Sequence, residues 1–94
     1  MKKLFFVLAC SLLSVAMMAS VTVRGVVIST EDGLPVIGAS VLEKGTSNGT
    51  ITDFDGMYEL TVQDGATLVV SYVGMTTQEL PVKGPQMDVR LSSD

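Results

Sequence analysis

The chain has 94 residues, of which 47% are hydrophobic and 5% aromatic, with one cysteine and no histidine. Six Lys and Arg against ten Asp and Glu give a formal net charge of −4 at pH 7. This length limits the protein to one domain. The acidic balance argues against nucleic-acid binding, because a gain from counterion release at phosphates requires a basic protein surface.

The N-terminal segment has the layout of a secretory signal peptide. Two lysines at the start precede an apolar stretch, residues 4–18, and small residues follow it. These are the three parts of a cleavable leader, and cleavage after Ala16 or after Ala19 fits the pattern. We therefore predict a signal peptide at residues 1–19 and an exported mature domain at residues 20–94, with no membrane span in the mature form.

Cys10 lies inside this apolar stretch. Its context, Val7-Leu8-Ala9-Cys10, resembles a lipobox, but only residues 4–9 would then remain as the apolar region, which is shorter than a leader requires. We expect Cys10 to be removed with the leader. The mature chain would then have no disulfide, no thiolate chemistry and no Cys-ligated metal.

The part after residue 20 has the pattern of an all-β protein. Short β-branched runs alternate with clusters of Gly, Asp, Asn and Pro, which is typical of a sandwich or a barrel. The fourth run is the clearest, because Tyr58, Leu60 and Val62 alternate with polar residues and so define one buried face. In chain order the predicted runs are 21–29, 39–44, 50–52, 58–63, 67–73, 76–80 and 87–91.

Turn residues separate these runs. We predict a tight turn with positive φ at Asn48-Gly49 and a left-handed residue at Gly56, which ends the turn Asp53-Phe54-Asp55-Gly56. The fifth run is apolar on both parities, as expected for a central strand. Pro81 marks the sixth run as an edge or its end.

Seven short strands in this length predict two small sheets packed face to face. The fold class is therefore an all-β, seven-stranded β-sandwich after a signal peptide. The apolar residues on the inward parity form the predicted core: Val23, Val27, Val41, Ile51, Tyr58, Leu60, Val62, Leu68, Val70, Tyr72, Val89 and Leu91.

Three stretches carry a family resemblance. They are Arg24-Gly25-Val26-Val27 with the following DGLPVIGASV segment at 32–41, the KGTSNGTITDFDG segment at 44–56, and LVVSYVGM at 68–75. Together they resemble the carboxypeptidase regulatory-like domain over about residues 21–91. The version is most similar to the N-terminal extension of SusC/RagA-type TonB-linked outer-membrane transporters, although Met75 stands where that family commonly has an aromatic residue.

The resemblance implies a transthyretin-like (prealbumin-like, Ig-like) β-sandwich in the periplasm, ahead of a plug and a barrel. It also implies partners among outer-membrane transporters or TonB-system proteins, in the import of glycans or peptides. The family continues into a linker, plug and barrel, whereas this sequence stops at Asp94. We therefore expect either a free-standing extension domain or a truncated transporter, and no transport by this polypeptide itself.

The sequence has no catalytic constellation. Thr46, Ser47 and Ser71 have no histidine to activate them, so we predict no enzyme and no cofactor. Asp53 and Asp55 resemble the start of a calcium loop, but two carboxylates fall short of the 6–8 oxygen ligands that Ca²⁺ takes. We predict no metal, and a turn in which the carboxylates accept local N–H groups.

Two groups of residues are candidates for protein or ligand contact. Phe54, with its neighbours Asp53 and Asp55, is the aromatic residue expected at the surface. Thr76 and Gln78 lie on the predicted edge run, where an open edge could accept a strand from a partner.

We therefore predict a non-catalytic exported accessory domain in the periplasm or at the periplasmic face of the outer membrane. The alternatives are a stand-alone carbohydrate- or peptide-binding module, and a truncated transporter fragment with no independent function.

Overall fold

The computed structural model describes residues 19–94, so the predicted leader up to residue 18, including Cys10, lies outside the described residues. Seven strands account for the regular structure of this part of the chain. They are β1 (Ser20–Ser29), β2 (Ser40–Glu43), β3 (Gly49–Ile51), β4 (Met57–Gln63), β5 (Thr67–Ser71), β6 (Gln78–Pro81) and β7 (Val89–Leu91).

The strands form two sheets. The first has the order β4-β1-β7 and the second the order β3-β2-β5-β6. All neighbours are antiparallel except β1 and β7, which pair in parallel. The two sheets bury their apolar faces against each other, so the predicted seven-stranded β-sandwich is confirmed. β5 lies inside its sheet and β6 at the edge, as predicted.

Aliphatic side chains fill the space between the sheets. In β4 the buried residues Tyr58, Leu60 and Val62 alternate with exposed ones, as the predicted period of two requires. Ten of the twelve predicted core residues are buried. The complete set of buried hydrophobic residues is Val23, Val27, Val36, Ala39, Val41, Tyr58, Leu60, Val62, Leu68, Val70, Val89 and Leu91.

The prediction of Ile51 as core is wrong, since its side chain is 67% exposed. The next residue, Thr52, takes the inward position and is 3% exposed. Its hydroxyl donates to the carbonyl of Val36 and accepts from the N–H of Ala39 at 2.8 Å. Because a satisfied hydroxyl can be buried at little cost, Thr52 occupies the inner face and alternation turns Ile51 outward.

The prediction of Tyr72 as core is also wrong, since 42% of this residue is exposed. β5 ends at Ser71, and the N–H of Met75 donates to the carbonyl of Tyr72 at 3.1 Å. This bond closes a turn with Gly74 in the left-handed region at φ 81°. The alternation therefore stops one residue before Tyr72, although its parity matches the buried residues of β5.

The predicted positive φ at Asn48-Gly49 is wrong as well. Gly45 has the positive φ, 80°, in the β2–β3 connection, and Gly49 is the first residue of β3. A Cβ on Gly49 would lie 2.8 Å from Cδ1 of Leu42. A Cβ here would also lie 3.0 Å from the carbonyl oxygen of Val41, so the glycine eases the close approach of β2 and β3 rather than serving a turn conformation.

Tyr58 joins the core to the connection that precedes β7. Its hydroxyl donates to the carbonyl of Met87 at 2.6 Å. Burial, with a smaller contribution from the nearby Asp88 carboxylate, raises the pKa of Tyr58 to about 12. The phenol therefore keeps its proton, and this hydrogen bond, at neutral pH.

Leu60 and Ile51 provide a matched test of the core. Leu60→Ala should lower the free energy of unfolding by about 2–5 kcal/mol, because it removes a buried side chain and leaves a cavity. Ile51→Ala should cost less than about 1 kcal/mol, because its side chain faces solvent. Urea denaturation of the mature domain measures both. Similar losses for the two variants would contradict the assignment of the inner face.

Candidate interaction surface

Most of the exposed large hydrophobic residues lie at one end of the sandwich. We call it the apolar end, and it comprises the connections at 30–39, 52–56 and 72–77, the adjoining Ile51, and the final segment 92–94. Phe54 is 86% exposed and Val73 92% exposed. The exposed large hydrophobic residues of this end are Leu34, Ile37, Ile51, Phe54, Tyr72 and Val73.

Three shallow depressions make this surface continuous. The first is lined by Leu34, Ile37 and Tyr72, among others, and the second by Gly38, Tyr72 and Val73. The third is lined by Ile37 and Gly38 together with residues 51–54. Because each pair of depressions shares a residue, the six apolar side chains form one surface rather than scattered contacts.

The connection from β1 to β2 folds back along β1 and so presents part of this surface. The N–H of Ser29 donates to the carbonyl of Leu34 at 2.9 Å, and the N–H of Val36 donates to the carbonyl of Val27 at 2.8 Å. These bonds bury Val36 in the core and leave Leu34 and Ile37 on either side of it exposed. One segment thus supplies both a core residue and two surface residues.

Phe54 lies in a turn that Asp53 organises. One carboxylate oxygen of Asp53, Oδ1, accepts the N–H groups of Asp55 and Met57, both at 2.9 Å. The N–H of Gly56 donates to the Asp53 carbonyl at 2.9 Å, and Gly56 has φ 74°. The predicted turn, its left-handed glycine and the local role of the Asp53 carboxylate are confirmed, and the turn leaves Phe54 free to contact solvent or a partner.

Thr76 lies in the 72–77 connection of the apolar end, Gln78 is the first residue of β6, and both bond to the chain around β7. The N–H of Thr76 donates to the carbonyl of Ser92 at 2.8 Å, and Nε2 of Gln78 donates to the carbonyl of Arg90 at 2.9 Å. These bonds link the edge of the second sheet to that of the first. The N–H of Thr76 therefore already has a partner within the domain.

Asn48, in the β2–β3 connection of the second sheet, links that sheet to β4 of the first sheet. Its Nδ2 donates to the carbonyl of Thr61 in β4 at 2.7 Å and to Oε1 of Glu43 at 3.0 Å. The second oxygen of Glu43 accepts the N–H of Gln63 at 3.2 Å. Polar side chains thus occupy part of the outer edge of β4, which reduces its capacity to pair with another strand.

The final segment is held against the apolar end by Glu31. Oε1 of Glu31 accepts the N–H of Ser93 at 2.9 Å, and Oε2 accepts the hydroxyl of Ser29 at 3.0 Å. The first of these bonds, followed by the second, lowers the pKa of the Glu31 carboxyl. At neutral pH Glu31 is therefore a carboxylate.

The apolar end contributes exposed aromatic and aliphatic side chains. No group of three or more His, Cys, Asp or Glu within residues 19–94 is arranged to hold a metal. No helix in the same part of the chain has the length and apolarity to cross a membrane. Exposed aromatic and aliphatic side chains of this kind are typical of binding surfaces.

Of the exposed apolar residues at this end, Phe54 was predicted from the sequence, whereas Leu34, Ile37 and Val73 were not. The available signal was their position, since each lies beside a turn-forming glycine or proline and outside any run with a period of two. An apolar residue in such a place has no strand neighbour to cover it.

The comparisons with known proteins cover almost the whole chain. A family model described as the CarboxypepD_reg-like domain matches residues 23–93. The TonB-dependent receptor SusC of Bacteroides thetaiotaomicron is 48% identical over 94 residues, which is 99% of this chain and 9% of the receptor. The TonB-dependent receptor P39 of Formosa agariphila is 48% identical over 66 residues, 68% of this chain and 6% of its own length.

A third relative, the TonB-dependent receptor P3 of Formosa agariphila, is 44% identical over 68 residues, which is 71% of this chain and 7% of that receptor. The chain therefore spans less than a tenth of each of these relatives.

Two glycines test how the Phe54 turn is fixed. A Cβ on Gly56 would lie 2.7 Å from Cβ of Pro35 and 2.8 Å from the carbonyl oxygen of Val27, whereas one on Gly74 would meet nothing within 4 Å. Both glycines have positive φ. Gly74→Ala should lower the free energy of unfolding by about 1–2 kcal/mol, because alanine is strained in the left-handed conformation. Gly56→Ala should lower it by at least about 1 kcal/mol more, because the added Cβ also collides with Pro35 and with the carbonyl of Val27.

Chemical denaturation of both variants measures this difference. Equal losses of unfolding free energy would contradict the packing of the Phe54 turn against the β1–β2 connection.

Proposed function

Because the chain belongs to the CarboxypepD_reg-like domain family, we propose that it is a non-catalytic accessory domain that contacts other proteins of a TonB-dependent uptake system. The identity of 48% with the receptor SusC, over nearly the whole chain, supports this function. In our proposal residues 1–19 are a signal peptide, and residues 20–94 act in the periplasm or at the periplasmic face of the outer membrane.

The observation that carries the proposal is the continuous apolar surface of six exposed side chains. Exposing it to water is unfavourable, since removing apolar area from water is worth about 25 cal/mol per square ångström before the costs of association are subtracted. Aromatic residues such as Phe54 and Tyr72 are also the types that most often dominate protein interfaces. The candidate partners are an outer-membrane transporter or proteins of the TonB system.

The absence of histidine from the sequence supports a non-catalytic role. Ser71 lines a depression with Tyr72 and Val73, but a serine without a base to take its proton is a weak nucleophile. The surface is therefore suited to binding.

A second candidate function is a module that binds a carbohydrate or a peptide. The observation in its favour is that Phe54 and Tyr72 are both exposed and line depressions that share Gly38. Aromatic faces at such positions can stack on sugar rings or cover apolar side chains. Glycan-array binding by the purified mature domain separates this function from the first.

The proposed function predicts selective crosslinking from the apolar end. A photoreactive phenylalanine analogue at position 54 preserves the aromatic character of the site, and the same analogue at Lys83, in the β6–β7 connection at the opposite end, is the matched control. In the native cell envelope, position 54 should become attached to an uptake-system protein, and position 83 should not.

The attached proteins are identified by mass spectrometry. Val73→Ser should lower the yield from position 54, because it removes an apolar contact from the same surface. Equal yields and identical attached proteins from positions 54 and 83 would contradict the proposed function.

A further inference from the structure

The charged residues of the apolar end are all acidic. Its connections and final segment, residues 30–39, 52–56, 72–77 and 92–94, contain no Lys and no Arg. The connections at the opposite end contain both signs, with Lys44 and Lys83 as well as two aspartates. The acidic residues of the apolar end are Glu31, Asp32, Asp53, Asp55 and Asp94.

These carboxylates are not neutralised by a basic side chain of the described residues. The ion pairs within residues 19–94 are Arg24 with Glu59 and Lys44 with Glu79, and neither involves an acid of the apolar end. Four of the acids instead accept N–H or hydroxyl groups of the domain itself, namely Asp53, Glu31, Asp32 and Asp94. The apolar end therefore has five acidic residues and no basic partner for them within residues 19–94.

Acidic and apolar groups lie in the same depressions. Asp32 lines the depression of Leu34, Ile37 and Tyr72, and Asp53 lines that of Ile51 and Phe54. A ligand that fills either depression with an apolar group therefore places its neighbouring groups beside a carboxylate.

We propose, on the basis of the proposed function, that the apolar end binds a segment of a protein partner in which large apolar side chains are flanked by Lys or Arg. The apolar side chains occupy the depressions, and the basic ones meet the acidic residues around them. Complementary charge of this kind speeds association and fixes the register of the bound segment.

The same charge argues against other occupants. A second copy of this chain bound through the same end would bring five carboxylates against five others, and facing like charges cost several kcal/mol at an interface. An anionic lipid surface would be repelled for the same reason. The apolar end is thus complementary in charge and polarity to a basic and apolar polypeptide segment.

The test neutralises charge without changing side-chain shape. In the variant D32N/D53N/D55N, an Asn Oδ1 replaces each carboxylate Oδ1, so positions 32 and 53 can still accept the N–H of Leu34 and of Met57. The variant removes three of the five negative charges. The matched control E59Q/D64N/D88N removes three charges elsewhere on the domain. Both are made in the protein that has the photoreactive phenylalanine analogue at position 54, and thermal melts verify that both are folded.

In isolated native envelopes, D32N/D53N/D55N should lower the crosslinking yield about threefold or more, while the control stays within about twofold of the parent. Raising the salt from 0.05 to about 0.5 M should lower the parent yield in the same direction, because screening shortens the range of the interaction. The peptide attached at position 54 should contain apolar residues next to Lys or Arg.

Three results would overturn the inference. They are an unchanged yield for D32N/D53N/D55N, an attached peptide without basic residues, or attachment to a second copy of this chain or to lipid. Attachment to an uptake-system protein through a neutral or acidic peptide would overturn this inference alone. If position 54 captures nothing more than position 83, the proposed function fails as well.

Discussion

Packing of aliphatic side chains between two small sheets is the constraint on which the rest of the structure depends. Several strands have only three or four residues, so few ladder hydrogen bonds hold each of them. A chain of this size buries roughly 60–65% of the surface that it exposes when unfolded, and residues 20–94 contain no cysteine. Val23, Val27 and Leu68 are completely buried, and such side chains supply the main stabilising free energy.

The sequence predicts most of this core because the pattern that specifies it is local. Alternation in β4 and apolar residues in β5 and β7 mark the inner face directly. Two errors arose where the alternation of buried and exposed residues is overridden or ends. Thr52 is buried because its hydroxyl bonds to the main chain of residues 36 and 39, which are 16 and 13 residues away and cannot be identified from spacing alone. Tyr72 is exposed because β5 ends in a local turn just before it, although the apolar run continues through Val73.

The apolar end was predicted only in part, for a related reason. Phe54 could be assigned to a surface turn, because its own neighbours form that turn. Its association with Leu34, Ile37 and Val73 depends on how three separate connections meet at one end of the sandwich. The order of the strands in the two sheets determines which connections lie next to each other, and no local sequence pattern specifies that order. Gln78, chosen from the sequence as an edge residue, does lie on the edge strand β6, and both it and Thr76 also bond to the chain around β7, which no local pattern indicates.

One set of side chains stabilises the fold and a different set is available for contact, and one measurement tests this separation directly. It is the free energy of unfolding of the mature domain with both Phe54→Ser and Val73→Ser, obtained by urea denaturation. These residues are 86% and 92% exposed, so we predict a change of less than about 0.5 kcal/mol from the parent. A loss of more than about 2 kcal/mol would show that the apolar end is part of the stabilising core, and would contradict the account.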